Sequence, residues 1–495
     1  MSYLELLRVA APETILVIAA LVVLGVDLLV MREEPQRNRF WVGGAFAVMG
    51  CAAAAGWIVA LDRPGVLAGI FTDDQLTQII KLALLALTVC TIVISAEGTF
   101  TEHVGEYLAL ILLATVGMML LVSSTDLLMI FIALELTSLS LYILTAFNKR
   151  NVKSAEAALK YFLFGGMSAA FTLFGISLLY GLAGSTSLVQ IKESLASANL
   201  AADPLLLAAL VMTVIGFGFK VAAVPFHLWA PDAYEGAPTP SAALIASGSK
   251  VASFFVFARV MMIGFAGAGG NGSWHHYASG WLPVVALVAA ASMILGNLAA
   301  IAQSNVKRLL AYSAIAHTGY ALLGLLANDP RGVSSLVYYT VTYGLTAAGA
   351  FGVVAVVEEK TGDSRLSDFA GLGKREPLIS FCMMIFMLSL AGIPPLAGFF
   401  GKFYLFTAVA GGAKDLGMLW LVFLAVAMSA VSLYYYLQVL KQIYVVPAAS
   451  DAPVKRSAVT SRVILALMAL GVIVLGCAPD LLLGRLMEAV AAFGF

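Results

Sequence analysis

Four ionisable residues stand alone in the middle of long apolar runs. Glu135 lies in LLMIFIALELTSLSLYIL with no other charge between Asp126 and Lys149, and Lys220, Lys250 and Lys402 are isolated in the same way. A charge at mid-membrane costs at least about 2.5–3.5 kcal/mol and is kept when it is paired or faces water inside the protein. A buried lysine loses its proton more readily through desolvation and holds it more tightly beside a carboxylate. Separating and rejoining a Glu–Lys pair therefore moves a proton. Histidine adds a site that titrates near neutral pH, and His317 and His227 lie in the same kind of run. Lys160 and His227 are nearer the ends of their runs and are auxiliary candidates with His317. The competing reading of all these residues is static ion pairing between helices. Lys81 and Arg259 are read as snorkelling to the interface.

The elements that position them are transmembrane helices. The 495 residues are 61% hydrophobic and 11% charged, with a mean hydropathy of +0.97, far from the composition of soluble domains. Apolar runs long enough to cross a hydrocarbon core as helices recur from end to end, and they lack the alternation of barrel strands. They predict an all-α integral membrane protein of about fourteen spans, near 14–31, 40–61, 76–97, 105–122, 126–147, 157–183, 204–230, 239–264, 277–300, 307–327, 333–357, 377–411, 416–446 and 458–478. The first run is too long for a signal-peptide core and reads as a retained helix. Pro225 and the pair Pro394-Pro395 interrupt two spans, because proline cannot join a continuous hydrogen-bond ladder. Those two helices are expected to be broken.

Lys and Arg concentrate in alternate connections: at Arg32, Arg37 and Arg39, at Lys149, Arg150 and Lys153, at Lys307 and Arg308, at Lys360, Arg365, Lys374 and Arg375, and at Lys455 and Arg456. The intervening connections hold little more than Arg63, Lys192, Arg331 and Lys414. The positive-inside rule then puts the odd-numbered loops in the cytoplasm and both termini on the periplasmic side of a bacterial inner membrane. Near the two breaks the pentapeptides GFGFK (Gly216–Lys220) and GFFGK (Gly398–Lys402) end in lysines 182 residues apart, and the same offset carries Glu135 onto His317. This pattern predicts two inverted five-helix repeats at 105–264 and 277–446, each with a broken helix, between an N-terminal three-helix segment (1–104) and a C-terminal helix (447–495). Ser138, Thr137, Ser247, Ser249 and Tyr320 are candidates to hold connecting waters.

The rest of the composition narrows the chemistry. The four cysteines are scattered singly, with no Cys/Cys or Cys/His spacing that would hold zinc, an iron–sulfur cluster or haem, so no metal or cofactor is expected on this chain. Twenty-eight basic and twenty-eight acidic residues cancel, leaving no field to attract nucleic acid. The lipid bilayer is the medium.

The run from Gly216 to Pro240, GFGFKVAAVPFHLWAPDAYEGAPTP, with LAGIPPLAGFFGKF from Leu390 to Phe403, resembles the antiporter-like membrane subunits of respiratory complex I, the proton-translocating NADH:quinone oxidoreductase. AYEGAPTP and Lys402, where the M branch typically has a glutamate, are similar to the N branch. The resemblance implies that Glu135 and Lys220 pair in a first half-channel, that Lys250 bridges, that Lys402 serves a second half-channel, and that Lys160 and His317 assist. It also implies that NADH, FMN, iron–sulfur clusters and quinone sit on partner subunits, and that subunit M and small membrane subunits are neighbours. A subunit of a multi-subunit sodium/proton antiporter is the alternative of shared ancestry. A scaffold whose charges only lock helices is the alternative from a different class.

Overall fold

The computed structural model describes residues 9–60, 65–67, 70–197, 203–412, 417–448 and 457–493. Arg63, Lys414, Lys455 and Arg456, used above for orientation, lie outside the described residues. The chain runs through α1 (Ala11–Leu29), α2 (Gln36–Ala60), α3 (Gln75–Ser95), α4 (Val104–Ser123), α5 (Leu127–Thr145), α6 (Val152–Ala183), α7 (Leu188–Ser197), α8 (Pro204–Lys220), α9 (Trp229–Gly236), α10 (Thr239–Ala246) and α11 (Gly248–Arg259). It continues through α12 (Trp281–Ile301), α13 (Val306–Leu326), α14 (Pro330–Thr361), α15 (Leu372–Arg375), α16 (Pro377–Ala391), α17 (Ala397–Gly412), α18 (Leu419–Tyr444), α19 (Val459–Cys477) and α20 (Asp480–Phe493). Two small antiparallel ribbons, Gly65–Leu67 with Phe71–Asp73 and Asn271–Gly272 with Tyr277–Ala278, lie in connections.

Among the described residues twelve helices are long and apolar enough to cross a membrane, taking Thr239–Gly264 as one, and Pro204–Lys220 and Pro377–Ala391 are apolar but shorter. The helices start where short polar side chains can take orphan backbone N–H groups. Asp74 accepts from Thr77 N, Asp126 from Leu128 N and Met129 N, Asn305 from Arg308 N and Asp329 from Gly332 N. α6 and α14 extend beyond the expected 157–183 and 333–357, because charged residues such as Glu156 and Lys360 interrupt an apolar run without interrupting a helix. The C-terminal segment holds two described helices: α20 buries Leu483, Leu486, Ala489 and Val490 along one stripe.

The rod α10–α11, α13 and α14 are buried nearly throughout, whereas α2, α6, α18 and α19 show much of their surface. Leu159, Phe162, Leu163, Met167 and Phe174 form the outer face of α6. Polar groups gather inside, as a bundle surrounded by lipid requires.

Both expected breaks are present, and a third feature joins them. α8 stops at Lys220, before the cis Val224–Pro225 bond, and the chain resumes as α9 at Trp229. In the bend Ala222 has φ 58°, a left-handed conformation that costs a non-glycine residue about 1–2 kcal/mol. α16 ends at Ala391, Gly392 takes φ 87°, and α17 starts after the cis Pro394–Pro395 bond. The expected continuous span 239–264 is interrupted at Ser247 (φ −111°, ψ −87°), three residues before Lys250, and ends in a π-helical turn, Val260–Gly264. The Ser-Gly-Ser sequence there is of the kind that kinks helices.

Candidate functional site

The first break exposes backbone groups that neighbouring helices then satisfy. Val224 N donates to Ser292 Oγ of α12 (2.9 Å), Trp229 Nε1 donates to Phe219 O (3.0 Å), and Thr318 Oγ1 of α13 donates to Val221 O (2.6 Å). Lys220, the last residue of α8, hydrogen-bonds through Nζ to Ser138 Oγ of α5 and lies 5.8 Å from the centre of the Tyr142 ring. Glu135 is one turn away from Ser138 on α5, yet it is not in direct ion contact with Lys220 within 4 Å.

Lys250 is buried, and its Nζ donates to Ala314 O (2.5 Å) and Thr318 Oγ1 (2.9 Å). One hydroxyl, Thr318, thus touches both Lys250 and the residue after Lys220. Its neighbour His317 is clamped at both ring nitrogens, Nδ1 to Tyr339 OH (2.6 Å) and Nε2 to Tyr436 OH (3.0 Å), and Tyr436 OH also meets Ser313 Oγ (2.5 Å). The Tyr343 ring lies 5.7 Å from Lys250 Nζ and 4.8 Å from the imidazole.

At the second break Lys402 Nζ donates to the last carbonyls of α16, Leu390 O (3.0 Å) and Ala391 O (3.1 Å), and to Ser429 Oγ of α18 (2.8 Å). It also lies 4.9 Å from the centre of the Tyr320 ring. Tyr320 OH accepts from Asn297 Nδ2 (3.0 Å), and Tyr435 OH donates to Asn297 Oδ1 (2.9 Å). A void of about 10 Å³, roughly one water in size, is lined by His317, Tyr339, Thr342, Thr346, Ser389 and Leu390 among others. It lies between the imidazole and the helix end that Lys402 caps.

The structure therefore brings partly buried Lys220 and buried Lys250, His317 and Lys402 into one polar seam and leaves two candidates aside. Lys160 is 40% exposed and ion-pairs with Glu156 and Asp232, both at 2.7 Å, and Asp232 also binds Arg308 at 2.7 Å. His227 is buried in the first bend, and its Nδ1 makes no hydrogen bond. Of the hydroxyl candidates, Ser138 and Tyr320 touch the lysines, whereas Thr137 and Ser247 bond back to their own helices. Thr318, Tyr339, Tyr436, Asn297, Ser313 and Ser429 went unmarked in sequence, because hydroxyl and aromatic residues in apolar helices read as packing. The reading of Lys81 and Arg259 as snorkelling is corrected. Lys81 is buried and paired with buried Glu13 at 2.8 Å, and Arg259 has no exposed surface. Nearness to a span end along the chain does not decide which face a residue occupies.

Lysines set at two breaks in a bundle of membrane-spanning helices are the arrangement of an antiporter-like membrane subunit. The family described as "NADH:quinone oxidoreductase/Mrp antiporter, TM" matches residues 124–432. NADH-quinone oxidoreductase subunit N 2 of Acidobacterium capsulatum is 52% identical over 491 residues, covering 97% of this chain and 98% of that one. Subunit N of Rhodospirillum rubrum is 38% identical, covering 98% and 97%. A chain of respiratory complex I from Thermus thermophilus with bound aureothin superposes with a TM-score of 0.77 at 32% identity, covering 96% and 99%. The Mrp complex of a Dietzia species gives a TM-score of 0.81 at 22% identity, a likeness of fold. The chain belongs to the subunit N family of NADH-quinone oxidoreductase.

Proposed function

We propose that this chain translocates protons as a membrane-arm module of NADH:quinone oxidoreductase, through Glu135, Lys220, Lys250, His317 and Lys402. Quinone reduction elsewhere in the complex drives it. The single observation that carries the reading is the Thr318 hydroxyl, which contacts Lys250 and accounts for the carbonyl next to Lys220, beside a histidine held by two phenols. A static lock would be served by direct ion pairs. Here Lys220 meets a hydroxyl, and Lys250 and Lys402 are held by hydroxyls and carbonyls, with no carboxylate in direct ion contact.

In this reading each broken rod, α8–α9 and α16–α17, crosses once, giving fourteen spans with both termini periplasmic and two inverted five-helix units. Lys160 and His227 serve as auxiliary groups, Lys160 at the cytoplasmic face. The cavity of about 490 Å³ lined by Glu97, Glu102, Lys149, Lys307 and Glu358 among others is a hydrated cytoplasmic vestibule, with buried Lys307 at its wall.

Glu135 supports a placement inside an assembly. It falls on the stripe of α5 that carries Leu128, Ile132, Leu139 and Ile143, all half exposed. A carboxylate at that depth is not left facing lipid, so a neighbouring membrane subunit, M or one of the small ones, covers this stripe. NADH, FMN, iron–sulfur clusters and quinone belong to partner subunits. The 52% and 38% identities to subunit N favour this reading over a sodium/proton antiporter subunit.

The test is Glu135→Gln against Glu135→Asp in the assembled complex. Removing the carboxylate withdraws what favours the ammonium of Lys220. Moving one charge through 100 mV takes about 2.3 kcal/mol, so the loss of one such partner impairs loading. The Gln variant is expected to lose most proton pumping and NADH:quinone turnover, and the Asp variant to keep more. Wild-type activity in both contradicts the reading.

A further inference from the structure

Arg259 and Lys81 belong to no part of the relay, and both are deeply buried at one end of the bundle. Arg259 closes α11, nine residues after Lys250 and so roughly 13 Å further along the helix. Every side chain between them is buried, and Ser253 is the only hydroxyl among them. The guanidinium lies 4.5 Å from the centre of the Phe255 ring. It donates through Nη1 to Val122 O (2.6 Å) and Ser124 O (3.2 Å), at the C-terminal end of α4, and Nη2 reaches Thr77 Oγ1 (3.4 Å) and Asp74 Oδ2 (3.9 Å).

These contacts form part of a layer. Asp74, Thr77 and Lys81 recur at helical spacing along one face of α3: the first two meet Arg259, and Lys81 meets Glu13 of α1 at 2.8 Å. Two basic side chains, each facing a carboxylate, thus join α1, α3, α4 and α11 in one cross-section. The π-helical turn Val260–Gly264 follows directly, a distortion that often marks functional positions.

A helix C-terminus leaves carbonyls without partners, and inside a membrane protein such carbonyls are natural anchors for a file of water. Arg259 occupies two of them. Unlike the relay lysines, a guanidinium does not give up its proton, and a buried positive charge repels an entering hydronium, as fixed arginines do in other pores. A lysine at this position would be one more relay station. An arginine ends the wire.

We infer that Arg259, set in the Asp74/Thr77/Lys81/Glu13 layer, is a proton seal that closes the periplasmic end of the first unit, so that a proton reaching Lys250 can leave only sideways toward His317 and Lys402. This rests on the relay and orientation proposed above. The seal makes transport through the chain one-way, because a straight path from Lys250 to the periplasm would short-circuit it.

The test uses the whole complex in phosphatidylcholine vesicles with an internal pH dye. Arg259→Met is expected to keep NADH:quinone turnover within about twofold of the parent while the pH gradient built per NADH falls severalfold. In vesicles without NADH, an imposed gradient should collapse at least severalfold faster. Arg259→Lys should fall between, and adding Lys250→Met to Arg259→Met should restore tightness. Unchanged passive permeability in the assembled Arg259→Met complex overturns the seal and leaves Arg259 a helix cap. If that variant fails to assemble, Asp74→Asn with Thr77→Val loosens the guanidinium without removing it. Faster collapse there supports the seal, and parental tightness overturns it. Lys250→Met alone separates the premises: normal pumping by that variant sinks the relay itself, whatever the passive leak of the Arg259 variants.

Discussion

In the proposed relay Thr318 is a linking residue without charge. Its hydroxyl contacts Lys250 Nζ and donates into the first bend, so replacing it by valine keeps the volume and removes the link. A hydrogen bond to a charged group is worth about 1.5–3 kcal/mol, which predicts that Thr318→Val lowers proton pumping by about tenfold. Thr318→Ser should retain most of it. Initial rates of acidification in vesicles, normalised to assembled complex, check this, and equal activity in both variants would remove Thr318 from the path. The isolated lysines were legible in sequence because a lone charge in an apolar run has few explanations. Thr318, Tyr339 and Tyr436 were not, because each acquires its role from a helix distant along the chain. Glu135 was legible as an isolated acid in an apolar run, but its partly exposed place on the outer stripe of α5 was not, since an apolar run has no visible inside.

At the scale of elements, the proline breaks were legible, and the way they are held was not. The pentapeptides GFGFK and GFFGK, similar in sequence, fall on opposite sides of their breaks: Lys220 ends α8, whereas Lys402 lies within α17. Lys402 consequently reaches back to cap α16, and the approach of the two helices depends on Gly398, where a Cβ would collide with the carbonyl of Ser389. Overpacking of this kind typically costs about 1–3 kcal/mol. Gly398→Ala is therefore expected to lower the thermal stability of the purified complex and its pumping together. An unchanged melting transition would show that α17 can shift without consequence.

A second element-scale joint lies just before α16. Glu376 binds Lys360 of α14 (2.7 Å), the Ser457 amide (2.6 Å) and Arg462 of α19 (3.1 Å). Burial pushes its carboxyl up, but the bond from Lys360, the Ser457 amide and the nearby Arg462 charge outweigh this and hold it below the ordinary carboxylate range. A lowered folded-state value means that the joint contributes fully above the unfolded value of roughly 4.3 and is lost as pH falls through the folded value. Glu376→Gln should be less stable than the parent at neutral pH, with the gap closing in acid. Thermal unfolding across that range measures it, and a gap independent of pH would contradict the assignment.

Across the whole molecule, composition alone made the bundle and its medium legible, since so apolar a chain has no soluble solution. The polar seam that joins the two breaks was not, because it crosses α5, α8, α11, α13, α14, α17 and α18, and no local pattern links them. The seam runs from Lys220 through Thr318 and Lys250 to His317 and Lys402, with the guanidinium of Arg259 off its line. In the proposed relay Lys250 is the group that a proton passing between the two breaks uses. The decisive measurement is the proton yield per NADH of an assembled complex carrying Lys250→Met in sealed vesicles. Without a titratable group at that depth a charge has no site, a penalty of at least about 2.5 kcal/mol, so pumping and quinone turnover are predicted to fall together by about tenfold or more. An assembled Lys250→Met complex that pumps and turns over like the parent would contradict the relay.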